Sequence, residues 1–188
     1  MKKIMMIAVM LVATLTASAQ QDPGTWSITP KVGVNLANLA GDVEGTSMKF
    51  GLVAGAEAMY QVSPMIGLSA GLLYSMQGAE GKGDTKANYD FLNIPVLANF
   101  YVAPGFALKV GLQPAFVMSA KEKGGNVEID VKDYTQSIIL DVPIGASYEF
   151  SNFVIDARYN LGVSKINKGD GSVRNSVIQL TVGYKIPF

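Results

Sequence analysis

Residues 106–120 read Phe106-Ala-Leu-Lys-Val-Gly-Leu-Gln-Pro-Ala-Phe-Val-Met-Ser-Ala120. The even positions, Phe106, Leu108, Val110, Leu112, Pro114, Phe116, Met118 and Ala120, are all apolar. The odd ones, Ala107, Lys109, Gly111, Gln113, Ala115, Val117 and Ser119, are small, polar or charged with one valine among them. Successive side chains of a strand point to opposite faces, so the stretch predicts an extended segment with one greasy face and one mixed face. At fifteen residues it exceeds an ordinary strand, whose usual length is about 5–6 residues.

Seven further segments repeat the pattern: Trp26–Leu36, Phe50–Tyr60, Ile66–Met76, Leu92–Val102, Ile138–Phe150, Phe153–Val163 and Ile178–Phe188. No apolar row carries a charge. Every charge inside the eight segments falls on the opposite row: Lys31, Glu57, Lys109, Asp141, Glu149, Asp156, Arg158 and Lys185. Many of the chain's glycines join them there, Gly33, Gly55, Gly71, Gly111 and Gly145 included. The connections alternate. Long polar stretches (37–49, 77–91, 121–137 and 164–177) take turns with short ones (61–65, 103–105 and 151–152), which puts all long loops at one end and both chain termini at the other. The pattern predicts eight antiparallel strands in up-and-down order.

Volume decides which row faces in. A soluble barrel would turn its large Leu, Ile, Phe and Trp inward, but an eight-stranded barrel has an interior just wide enough for side chains to fill. The glycine-bearing row fits that space and the bulky row does not. The bulky row therefore faces out, and lipid is the solvent that accepts it, because Lys or Arg on such a face costs ~2–4 kcal/mol at the bilayer midplane. The fold expected is an all-β, eight-stranded antiparallel up-and-down transmembrane β-barrel. Aromatic residues at the strand ends match two interfacial girdles: Trp26, Tyr60, Phe100, Phe106, Tyr148, Phe150, Phe153, Tyr184 and Phe188 near the short turns, and Phe50, Tyr74, Phe116 and Tyr159 towards the long loops. Pro95, Pro114 and Pro143 each remove a ladder donor from a closed sheet, so bulges or local twists are expected there.

The first residues, MKKIMMIAVMLVATLTASAQ, place Lys2 and Lys3 before an apolar run and end in Ala17-Ser18-Ala19. This is the form of a secretory leader, with Ala17 and Ala19 framing the cleavage site. Its apolar run is too short to cross a hydrocarbon core, which needs about 20 residues. The expected division is a leader over residues 1–19 and a barrel domain over 20–188, exported through the periplasm to the outer membrane of a Gram-negative cell.

The stretches Tyr89–Tyr101, Val110-Gly-Leu-Gln-Pro114, Asp141-Val-Pro-Ile-Gly145, Asp156–Gly162 and Val182-Gly-Tyr-Lys-Ile-Pro-Phe188 resemble the porin-like outer-membrane β-barrel domain family, which includes PorT-like proteins and the small OmpX- or OmpA-type eight-stranded barrels. The resemblance covers essentially the whole mature chain and implies no shared catalytic residues. It also implies that Tyr184, Ile186 and Phe188 form the C-terminal signal read by the barrel assembly machinery.

Composition excludes most enzymes. The 188 residues hold 15 Lys+Arg and 15 Asp+Glu, with no His and no Cys. Thiol chemistry, disulfides and the commonest metal ligand and general base are therefore missing, and a hydroxyl nucleophile has no His to activate it. The balanced charge gives no reason to expect nucleic acid. The loop 78–85 contains Gly-Lys but no following Ser/Thr, so it is not a phosphate loop, and the acidic groups Glu128, Asp130, Asp133 and Asp170 lack calcium-loop spacing. No cofactor, metal site or catalytic residue is expected.

Lys31, Glu57, Lys109, Asp141, Asp156, Arg158 and Lys185 are expected to form an ion-pair network that fills the lumen, since charge buried in a narrow bore needs partners. The functional expectation is a non-enzymatic outer-membrane barrel with a filled lumen, contacting outer-membrane lipid and acting through its extracellular loops on surface partners. The alternatives are a narrow porin for small solutes and an accessory component of a secretion or assembly complex.

Overall fold

The computed structural model describes residues 22–42, 46–81, 85–124, 127–169 and 171–188. The expected leader, with Ala17 and Ala19, lies outside them, as do parts of the stretches 78–85 and 168–172. The described chain is almost entirely strand: β1 (Trp26–Gly41), β2 (Ser47–Ser63), β3 (Ile66–Glu80), β4 (Thr85–Asn93), β5 (Val96–Ala103), β6 (Phe106–Gly124), β7 (Val127–Asp130), β8 (Ile138–Phe150), β9 (Phe153–Gly162), β10 (Val173–Tyr184) and β11 (Ile186–Pro187). β4 and β5 are two halves of one stave, β11 continues β10, and β7 folds back on the far end of β6. The eight staves pair in sequence order, and antiparallel pairing of β1 with β10 closes the ring.

The alternation is realised as expected. Leu52, Val110 and Ile144 are 56%, 42% and 54% exposed on the outer wall, while Lys31, Gln113 and Arg158 are buried in the lumen. The girdle residues also lie outside, with Trp26 against Tyr60 at 5.0 Å between ring centroids and Phe153 edge-on to Tyr184 at 5.3 Å. Both pairs sit at the end where β1 begins and β11 ends, where the Phe188 amide donates to the Trp26 carbonyl.

Two sequence expectations are corrected. The staves run deep into the stretches read as long loops: β1 extends to Gly41, β3 to Glu80 and β6 to Gly124. Beyond the apolar band the outer wall meets water, so apolar and polar residues no longer need to alternate while the hydrogen-bonded ladder persists. Ala120, placed on the outer row, is fully buried inside. The β4–β6 register slips between Asp90 and Phe91, which face Ser119 and Val117, so one extra residue in β6 reverses the facing of the residues beyond it.

The prolines mark pauses in the ladder rather than that bulge. Pro95 falls between β4 and β5, and Pro143 stands where the β6–β8 pairing skips from Val110–Ile144 to Gln113–Asp141. Pro114 lies beside the β4–β5 break, its carbonyl accepting from the Ile94 amide. Pro30 does the same on β1, facing the break between β10 and β11. Each ring removes an N–H donor, and the regular pairing is interrupted beside it.

Candidate functional site: a filled lumen under an apolar mouth

The lumen is layered. At its middle, β1, β2, β6 and β9 bring five charged side chains to one point. Arg158 donates through Nε to Asp156 Oδ1 at 2.6 Å and through Nη2 to Asp156 Oδ2 at 2.8 Å, and the same Nη2 reaches across the bore to Glu57 Oε1. Lys31 holds Glu57 Oε2 at 2.7 Å and Lys109 holds Asp156 Oδ2 at 2.5 Å. All five are buried, Arg158 to 2% exposure. Such a fork-to-fork guanidinium–carboxylate pair, with lysines on the remaining oxygens, meets the condition under which buried ions tolerate loss of water.

One glycine makes room for it: a Cβ on Gly71 would stand 2.5 Å from Glu57 Cγ. Gly33 and Gly145 have a different reason: a Cβ there would meet the Leu180 carbonyl oxygen at 2.0 Å and the Ala157 carbonyl oxygen at 2.2 Å, so their inward positions reflect the close approach of β1 to β10 and of β8 to β9.

Below this cluster, towards the short turns, Lys185 pairs with Glu149 at 2.6 Å, and the Tyr101 hydroxyl donates to the other Glu149 oxygen at 2.7 Å. A void of about 20 Å³ separates the two groups, lined by Lys31, Glu57, Lys109, Glu149 and Lys185. That is about the size of one water molecule.

Above the cluster lies a layer of amides. Asn35 donates to Ser75 Oγ at 2.9 Å, Gln77 donates to the same oxygen at 2.9 Å, and Asn175 donates to Gln77 Oε1 at 3.0 Å. Asp141 belongs here. Its Oδ2 accepts from Gln113 Nε2 at 3.4 Å, and no Lys or Arg among the described residues forms an ion pair with it.

Of the seven residues expected to form one network, the structure brings together Lys31, Glu57, Lys109, Asp156 and Arg158. It places Lys185 in a separate pair with Glu149 and sets Asp141 apart. The reason is height along the staves: Lys109 faces Gly145 across β6–β8, whereas Asp141 on the same stave faces Gln113, a full four residues further towards the loops. The amide layer was missed, although its signal was present as Asn and Gln at inward positions of successive segments.

At the loop end the lumen becomes apolar. Tyr89, Phe91, Ala115, Val117, Ala120, Ile139 and Ile166 form one buried cluster. Tyr89 and Phe91 sit in a stretch read as loop, and Ile166 comes from the last connection, so the sequence pattern did not assign them to a core. On top of this cluster a pocket of about 320 Å³ opens to the outside, lined by residues that include Leu39, Tyr89, Glu122, Val131, Tyr134 and Ile166. Of the loop acids considered for calcium, Asp130 accepts the Lys132 amide at 2.9 Å.

Comparison with known proteins places this architecture. The family model described as outer membrane protein beta-barrel domain matches residues 18–168. Among solved structures, Ail, the attachment invasion locus protein of Yersinia pestis, superposes with a TM-score of 0.54 at 19% identity, over 87% of this chain and 99% of that one. Neisserial surface protein A superposes with a TM-score of 0.56 at 17% identity, over 87% of this chain and 97% of that one. At such identities the likeness carries the fold. No curated protein sequence matches the chain.

Proposed function

Because the chain belongs to the outer membrane protein beta-barrel domain family, we propose that it serves as a non-catalytic surface barrel whose lumen is plugged and whose work is done at the loop end. Residence in the outer membrane follows from the family and from the charge-free apolar belt around the staves. The observation that carries the closed lumen is the Arg158 cluster: a fully buried guanidinium bridges Glu57 and Asp156 from opposite walls, and the void beneath it is water-sized. The apolar mouth formed by Phe91, Ile139 and Ile166 supports the same reading, since an ion crossing it would shed its water without a polar replacement.

Planar-bilayer recording of the purified protein tests the plug. The expected result is no large, stable conductance step, and a large, long-lived single-channel step overturns the closed lumen in favour of a narrow pore.

Biogenesis on this reading uses the leader ending at Ala17-Ser18-Ala19 for export and the exposed terminal row Tyr184, Ile186 and Phe188 for recognition by the barrel assembly machinery. Deleting Phe188 should slow insertion in cells, and unchanged surface levels would count against that role. The absence of His and Cys leaves Ser, Thr and Asp without the partners that hydrolytic barrels need, which supports a non-enzymatic role.

A further inference from the structure

The mouth pocket is lined by the apolar Leu39, Val131 and Ile166, by Tyr89 and Tyr134, and by one acid, Glu122. Tyr89 is buried beside Glu122, while Tyr134 is 76% exposed at the rim. The other polar groups of the lining are spent on the fold. Thr135 Oγ1 donates to the Val131 carbonyl at 2.9 Å, and Asn167 accepts the Val173 amide at 3.1 Å while donating to Gly169.

No Lys or Arg is among the described residues that line the pocket, and the basic side chains of the rim are held on other partners. Lys132 Nζ is turned to the Met118 carbonyl at 2.9 Å, Lys168 Nζ to the Asp133 carbonyl at 3.0 Å, and Arg174 to Ser172 Oγ at 3.2 Å. Lys121 and Lys123 flank Glu122 on β6, so alternation sends them to the opposite face of the strand. Asp42 accepts the Ser172 amide and Asp130 the Lys132 amide, and Glu122 is the carboxylate among the described lining residues.

We propose that this pocket binds a small organic cation, an ammonium group attached to an apolar or aromatic body. The carboxylate of Glu122 pairs with the ammonium, the Tyr89 and Tyr134 rings offer it their electron-rich faces, and the body packs on Val131 and Ile166. The volume of about 320 Å³ lies at the small end of the range for ligand sites, which begins at about 300 Å³. The proposal rests on the loop end being the working face of a plugged barrel. Conductance tests the plug on its own, so an open lumen and a failed titration are separate results.

The experiment is a titration of the refolded full-length barrel in micelles with phenethylammonium, followed by backbone amide shifts, with 2-phenylethanol and phenylacetate as matched neutral and anionic probes. Saturable shifts at Tyr134, Thr135 and Ile166 are expected for the cation, with affinity about tenfold or more weaker for the alcohol and for Glu122→Gln, the scale of one charge-assisted contact. Tyr134→Ala, at an exposed rim position that does not threaten folding, should also weaken binding. Absence of saturable shifts at these amides, equal binding of phenylacetate, or an unchanged affinity in Glu122→Gln overturns the proposal.

Discussion

The middle of the barrel and its loop end are built on opposite plans. At the height of Arg158 the outer wall is Leu, Ile, Val and Ala and the interior is charged. At the height of Phe91 and Ile166 the interior is apolar, and exposed Lys86, Lys121 and Lys123 mark the outside. The second arrangement is that of any water-soluble domain. The first is its inverse, and the two meet within single continuous strands: β6 carries Lys109 inward low in the barrel and Ala115 and Val117 inward near its mouth. The contrast teaches that the interior does not have to mirror the solvent outside. Interior residues need only mutual satisfaction, whether by ion pairs or by packing, whereas exterior residues must match lipid or water at their own height.

Removing the ion-pair hub should show the largest effect. Arg158→Ala leaves Glu57 and Asp156 buried with only lysine partners, and loss of one member of such a cluster costs about 3–5 kcal/mol. Urea unfolding of the refolded barrel in lipid vesicles measures it, and a loss below about 1 kcal/mol would mean that water reaches the cluster. The facing of the middle region is tested next. Leu112→Lys puts a cation into lipid at ~2–4 kcal/mol, whereas Gln113→Lys beside it points inward to Asp141, a carboxylate with no cationic partner among the described residues, and should be far better tolerated. Equal refolding yields for the two variants would contradict the assigned facing.

The loop end responds on a smaller scale and by a different mechanism. Ile139→Val removes one methylene from the apolar cluster and should cost about 0.5–1.5 kcal/mol without any dependence on salt. A stability loss that shifts with ionic strength would show that this end is held by charge, erasing the contrast with the middle.

Legibility followed the same division. Where the outer wall meets lipid, every second residue is constrained, so the staves, their facing and the inward location of all eight charges could be read from alternation. Past the lipid band the constraint lapses, so Tyr89 and Phe91 of β4, in a stretch read as loop, were invisible, and so was the inward facing of Ala120, because one extra residue in β6 opposite Asp90–Phe91 shifts the phase of that strand. Within the lumen, alternation says which side chains enter but not at what height they arrive relative to those on other staves. Glu57 and Arg158 stand 101 residues apart in the chain and meet across the bore, while Asp141 enters from the neighbouring stave and misses both.

The sequence by itself therefore determined the period, the number of staves, the greasy exterior and the exclusion of His- and Cys-based chemistry, since each of these depends only on residue type and spacing along one chain. The tertiary structure alone decided which charges pair, which apolar residues gather inside the loop end, and that Glu122, Tyr89 and Tyr134 line one pocket at its mouth. Those outcomes depend on the stagger of one stave against the next around a closed ring, a quantity that no single strand contains.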